Sequence, residues 1–265
     1  ARLRDMMEQF VERQREGYWH LYGKQEGSFA FGWNATEDYL TGWEIDDGTW
    51  VVGRMNYLIN EFRGGWSFVV ERHGFPKTAL RSGGVKLTPY VTQDGRELYV
   101  PMAWDGSAFQ ILGLSHFMQE LEQPGWRALL SNAVFAQLDY AKQHGLPGFL
   151  SESYSGDETE YTGAVAIPAL AVTKHERITD APSLYTLGVA YQIEPDAVEA
   201  FLAKNWSTIE LLLTDHGPWE GYKMSSGSVI EFQTAAHTLS LILGFVGTGH
   251  ENMKRYLAFK SLGQS

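Results

Sequence analysis

The sequence predicts an all-α protein with one possible small β-hairpin. Apolar residues recur at helical spacing through most of the chain, and Gly/Pro-rich loops separate those runs. Strand-like alternation is confined to one place, around an Asp-Gly turn pair.

Taken in order, residues 1–22 place Leu3, Met6, Met7, Phe10, Val11 and Tyr18 at helical spacing. Residues 49–62 read as a second helix, with Gly64-Gly65 ending or interrupting it. The runs "VKLTPYV" and "RELYVPM" flank Asp94-Gly95 and form the hairpin. Residues 107–121 put Phe109, Leu112, Phe117 and Leu121 near one helical face. Residues 126–145 are the clearest helix, closing with Lys142, His144 and Gly145. A further helix follows Asp180 with Pro182 early in it, and Glu194-Pro195 opens another that runs to about Lys204. The run at 230–247 is apolar nearly all round and is expected to be buried. No linker divides the chain, so residues 1–265 are read as a single domain.

Composition narrows the chemistry. A hydrophobic fraction of 44% is enough for a core. No apolar run is long enough to span a membrane. A net charge of −11 disfavours nucleic acid or an anionic membrane surface as partner. With no cysteine and no HExxH, neither a metal nor a cofactor is expected, and activity should survive chelators. The start at Ala1, already helical in pattern, reads as processed or truncated. The compartment stays open, with a periplasmic or extracellular one preferred. There is no phosphate-binding loop and no GxSxG elbow. His237, on an apolar helix, reads as a satisfied core histidine more readily than as a ligand.

What remains is carboxylates beside aromatics and glycines. Nine Trp, thirteen Tyr and fourteen Phe is a heavy aromatic load, and many lie next to Gly, Asn or Asp. Such rings can be core; they can equally line a carbohydrate cleft, packing on sugar C–H faces while polar neighbours bind hydroxyls. Trp33, Trp43, Trp104 and Trp219 are the candidate platforms. Asp47 and Asp105 either cap turns and helices or bind substrate. Glu61 and Arg63 interrupt an apolar run, as an ion pair at a helix end or as chemistry facing a pocket. Glu152 lies in a loop of small residues, Glu220 in "GPWEGY", and Glu231 at the head of the last apolar run. Acidic groups on loops beside aromatics suit glycosidic-bond cleavage, which needs one carboxyl to donate a proton and a second to act as base or nucleophile.

Six segments carry a resemblance: "INEFRGGWSFVVERHGFP" (59–76), "WDGSAFQILG" (104–113), "LPGFLSESYSG" (146–156), "YTGAVAIPAL" (161–170), "TDAPSLYTLGVAY" (179–191) and "GPWEGY" (217–222). Their order and spacing resemble the bacterial glucoamylase-like family related to β-1,2-glucanases and to the processing domain of cyclic β-1,2-glucan synthases. The resemblance implies an (α/α) toroid, no cofactor, and acid/base hydrolysis or transfer on a β-linked glucan or oligosaccharide. It places the catalytic acid at Glu61, with Arg63 orienting it or holding a sugar hydroxyl. Glu231, Glu152 and Glu220 are the candidate second carboxylates. The family's N-terminal helices have no counterpart here, so the toroid is expected to be shortened, or completed by those helices or by a second chain. Gln110 stands where relatives often carry Glu. Relatives use both stereochemical outcomes; the glycine-rich loops around Glu152 and Glu220 favour admission of water and hence inversion. The rival reading is a non-catalytic glycan-binding or assembly protein on the same scaffold. A terpene-cyclase-like toroid is disfavoured, because Asp46-Asp47 lacks the further acidic partner of DDxxD.

Overall fold

The computed structural model describes residues 2–157 and 160–247, which form two compact units, residues up to Val85 and residues from Lys86. Helices dominate, but the all-α expectation needs correction. Among the described residues, seven antiparallel two-stranded pairs join the helices, most of them only two or three residues long.

The first unit opens with α1 (Arg2–Leu21), as expected from its periodicity. Three strand pairs follow: β1 (Tyr22–Gly23) with β2 (Ser28–Phe29), β3 (Trp33–Asn34) with β4 (Tyr39–Leu40), and β5 (Gly42–Glu44) with β6 (Trp50–Val52). The helix expected at 49–62 is therefore absent. Instead α2 (Phe62–His73) begins where that helix was to stop, and Gly64-Gly65 fall in its first turn. Asn60 explains the start: its Oδ1 accepts from the Phe62 N–H at 2.8 Å, satisfying a helix-end donor. Trp66, Val69 and Val70 then bury one face, and Gly74, in the left-handed region at φ 70°, ends the helix. Together with Ala79 of α3 (Thr78–Arg81), these residues pack on Phe29, Met55 and Phe75. Trp19 of α1 stacks on Phe75 with ring centroids 4.0 Å apart.

The second unit opens with the expected hairpin, β7 (Leu87–Val91) and β8 (Glu97–Pro101). The helix expected over 107–121 breaks into α4 (Ala108–Leu112) and two 3₁₀ turns, Gly113–His116 and Gln119–Glu122. The long helix α5 (Pro124–His144) has a proline at its start and Gly145 at φ 65° beyond its end. After it come β9 (Ser153–Tyr154) paired with β10 (Tyr161–Thr162), then α6 (Tyr185–Ile193) and α7 (Pro195–Ile209). Pro182 precedes α6 instead of lying within it. Two last pairs, β11 (Leu213–Thr214) with β12 (Gly217–Pro218) and β13 (Gly221–Lys223) with β14 (Ser228–Ile230), lead to α8 (Ala235–Val246).

The last helix also departs from expectation. It turns His237, Ser240 and Gly244 inward and leaves Leu239, Ile242 and Val246 exposed. The cause is a close crossing of α6. A β-carbon on Gly244 would lie 2.0 Å from the Gly188 carbonyl carbon, so only glycine permits the approach, and the small-residue face wins over the apolar one.

Candidate active site

The segment after α5 is fastened before it reaches Glu152. Phe149 and Ser183 exchange backbone hydrogen bonds of 3.0 and 2.9 Å, which anchors the loop to the strand-like stretch before α6. Side chains then close a ring around the Glu152 peptide. Its N–H donates to Ser107 Oγ at 3.0 Å. Ser107 Oγ lies 3.2 Å from Ser151 Oγ, which also accepts from the Phe109 N–H at 3.0 Å. Ser151 Oγ lies 2.6 Å from the Tyr185 hydroxyl, and that hydroxyl donates to the Glu152 carbonyl at 2.9 Å. Tyr161 donates to the same carbonyl at 3.0 Å. Every hydrogen has a place if each hydroxyl donates onward from Ser107 to Ser151 to Tyr185 to Glu152.

A second layer backs this ring. His237 lies flat on Tyr185, with ring centroids 3.6 Å apart, and its Nε2 is 3.3 Å from the Tyr161 hydroxyl. Its Nδ1 lies 2.9 Å from Glu220 Oε1, within ion-pair range but off the line of a good hydrogen bond. Glu220 is buried, and Oε2 accepts from Thr234 at 3.1 Å. Burial, then the Glu152 and Glu220 carboxylates, push the Tyr161 phenol above its usual range. Burial, then Tyr161, Glu152 and, less strongly, Glu220, do the same to Tyr185. Both carboxylates thus act on one aromatic cluster. Further along the loop, the buried Lys223 ammonium ties Asp157 to Asp180, the latter at 2.9 Å.

The sequence-predicted residues distribute as follows. Glu152, Glu220 and the segment bearing Glu231 come together in the second unit. Glu231 is exposed and precedes the helix start by four residues, so it does not head α8 as expected. Phe232, its neighbour, stacks on Tyr154. Trp219 is half-buried and donates its backbone N–H to Leu212 O. Asp105 is engaged by Arg177 at 3.4 Å, by Thr173 at 3.3 Å and by Gln110 at 3.3 Å, a fixed network beside the partly exposed Trp104. In the first unit, Glu61 sits at the start of α2 with Oε2 buried and without a hydrogen-bond partner. Arg63 is buried and donates to the Asn60 carbonyl at 2.9 Å. Trp33 stacks on His20 at 4.1 Å and donates to Asp38. Trp43 is exposed on β5. Asp47 accepts from the Thr49 N–H at 2.9 Å in a turn, and its contacts with Thr49 hold its carboxyl below the usual range.

Ser107, Ser151, Tyr161 and Tyr185 do not stand out in the sequence as site residues. Each lies inside a motif that carries the resemblance, yet nothing local marks it. His237 is buried as its pattern suggests, but only its Nε2 has a hydrogen-bond partner; Nδ1 faces Glu220 without one. Among the described residues, no group of three His, Asp or Glu side chains could hold a metal ion. No described helix is long and apolar enough to cross a membrane. Chemically, the arrangement holds one half-buried carboxylate on a rigid peptide, with a buried carboxylate–imidazole pair behind it.

No family model and no curated protein matches the chain. Solved structures do match its fold. An endo-β-1,2-glucanase from Talaromyces funiculosus, in complex with β-1,2-glucan, superposes with a TM-score of 0.68 at 13% identity over 92% of this chain. The same enzyme with sophorose gives 0.69 at 12% identity over 92%. A presumptive glucoamylase from Bacteroides uniformis gives 0.63 at 11% identity over 93%. The chain spans 51%, 52% and 58% of the length of these three structures.

Proposed function

We propose that this chain is a glycoside hydrolase or transglycosylase for a β-linked glucan or oligosaccharide, with Glu152 as its proton-transferring carboxyl. The observation that carries the proposal is the ring around the Glu152 peptide, held at its N–H by Ser107 and at its carbonyl by Tyr185 and Tyr161. A general acid works only when held in a productive geometry, and an anchored backbone fixes the origin of the side chain. Glu152 itself is half-buried, between the sealed Glu220 and the open Glu231. Glu220 faces Thr234 and His237 and supports the site from behind. Glu231, exposed beside the aromatic Phe232, is the proposed second carboxylate. The fold shared with a β-1,2-glucanase makes β-1,2-glucan the first substrate to try. A helical toroid, a single working domain over 1–265, and completion by further helices or a second chain belong to the same proposal.

The alternative acid is Glu61, favoured by its buried and unpartnered Oε2. The test is turnover of linkage-defined glucans, read by product chromatography, for the parent chain and for Glu152→Gln and Glu61→Gln. Loss in the first with survival of the second supports the assignment. The reverse pattern moves the acid to Glu61. NMR of the first-formed anomer decides between inversion, the proposed outcome, and retention. A parent chain that binds glucan without cleaving it supports the non-catalytic reading.

A further inference from the structure

Beside Glu152 lies an aromatic ledge to which none of the tryptophans contributes. Tyr154, two residues along, pairs across β9 and β10 with Tyr161, and their rings meet edge to face at 5.9 Å. On its other side Tyr154 stacks against Phe232, with centroids 4.3 Å apart and planes within 8°. Phe232 is held in place by its backbone, donating to Ile230 O and accepting from the Glu220 N–H, each at 2.8 Å. The ledge therefore runs from the Glu231 segment to the hydroxyl of Tyr161, which rests on the Glu152 carbonyl. Its two ends are open, with Phe232 40% and Tyr161 44% exposed.

We infer that the Phe232–Tyr154–Tyr161 ledge is a saccharide subsite, on which a neutral hexose ring of the substrate packs its C–H face while the adjoining glycosidic oxygen lies toward Glu152. The inference rests on the proposed glycan activity and deepens it. Three features select a sugar over a purely apolar or an anionic ligand. Phe232, exposed and parallel to Tyr154 within 8°, is a flat ring backed by a second ring, as a stacking platform must be. Glu231 stands exposed at one end, so a polar group flanks the apolar face, while the Tyr161 hydroxyl at the other is held on the Glu152 carbonyl. The Lys223 ammonium, from β13, is already committed to Asp157 and Asp180, so an anionic ligand finds no partner in it.

The experiment uses the full chain. Affinity for β-1,2-, β-1,3- and β-1,4-glucan oligosaccharides is measured by calorimetry in a Glu152→Gln background, so that nothing is consumed. Phe232→Leu, which keeps bulk over Tyr154 but removes the flat face, should weaken binding roughly tenfold, as truncating an aromatic anchor commonly does. Phe232→Tyr should restore affinity to within about twofold of the parent by returning the ring. Thermal unfolding checks that the Leu variant is folded. If it is not, Phe232→Trp serves as a reporter, and its added emission should shift on saturation with glucan. Unchanged affinity in Phe232→Leu, or an unshifted emission from Phe232→Trp at saturation, overturns the subsite. If the parent chain still cleaves glucan in that case, the hydrolase reading stands without the ledge. A parent that binds no glucan overturns both.

Discussion

Glu61 and Glu152 are both glutamates in segments that carry the family resemblance, yet the molecule treats them differently. At Glu61 the neighbours along the chain start a helix: Asn60 accepts from the Phe62 N–H, and Arg63 donates to the Asn60 carbonyl. The carboxylate itself has one oxygen buried with nothing to bond. Around Glu152 the contacts are long-range, from Ser107, Tyr161 and Tyr185, which come from three other elements of the second unit. Local contacts of the first kind serve to start a helix. Contacts of the second kind draw on several elements at once, the start of α4 among them, and hold one segment in one place. Precision achieved at long range is the stronger reason to look for chemistry.

The largest expected effect is the one that can break this comparison outright. Glu152→Gln should lower turnover by about 10²–10⁴ with the fold intact, the range for loss of a general acid. Glu61→Gln, which supplies its buried oxygen site with an amide, should leave turnover within about tenfold of the parent. A larger loss at Glu61 in side-by-side kinetics reverses the ranking of the two sites.

A smaller but still severe effect should follow from the crossing that carries His237. Gly244→Ala drives a β-carbon into the Gly188 backbone, which cannot yield as a flexible side chain would. Destabilisation of about 3 kcal/mol or more is expected in denaturant unfolding, the upper range for overpacking. An Ala variant as stable as the parent means that α6 and α8 are not held at this distance.

Acid should expose the same layer. His116 contacts Ser240 at 3.0 Å, and burial pulls its pKa down to about 4. Its unfolded value is near 6.5, so between the two the unfolded state binds more protons and stability falls as pH drops. The contribution is fully present above about pH 6.5 and lost as pH falls toward 4, up to roughly 3 kcal/mol. His116→Gln, which cannot titrate, should flatten that part of the stability profile. An identical acid limb in the variant assigns the loss to other groups.

How much of this is legible in the sequence depends on the range of the interaction. The β7–β8 hairpin is readable because Asp94-Gly95 and the flanking alternation sit within one short window. Helix α5 is readable because periodicity and both end signals agree. The start of α2 is misplaced because Gly64-Gly65 look like terminators. The apolar spacing of Trp66, Val69 and Val70 beyond them, and Asn60 before them, carry the correct signal. Helix α8 reads as buried from its composition, which cannot register that a glycine crossing selects its small-residue face. For the site, the loops pick out the carboxylates Glu152 and Glu220. Ser107, Ser151 and Tyr185 are ordinary until the fold brings together residues 44 and 34 positions apart.

The finest cut removes a single oxygen from the ring. Tyr185→Phe keeps the stack on His237 and the packing of a fully buried side chain, so the core should not reorganise. It leaves the Ser151 hydrogen without its acceptor and takes one of two tyrosine donors from the Glu152 carbonyl. Loss of such a buried hydroxyl pair costs about 1–2 kcal/mol, a modest shift in the unfolding midpoint. If the ring serves chemistry, turnover should fall by roughly tenfold while KM barely moves, because a looser Glu152 harms the transition state more than substrate binding. If the ring serves only the loop, stability should fall by the same amount with turnover unchanged. Measuring both quantities on one variant separates the two.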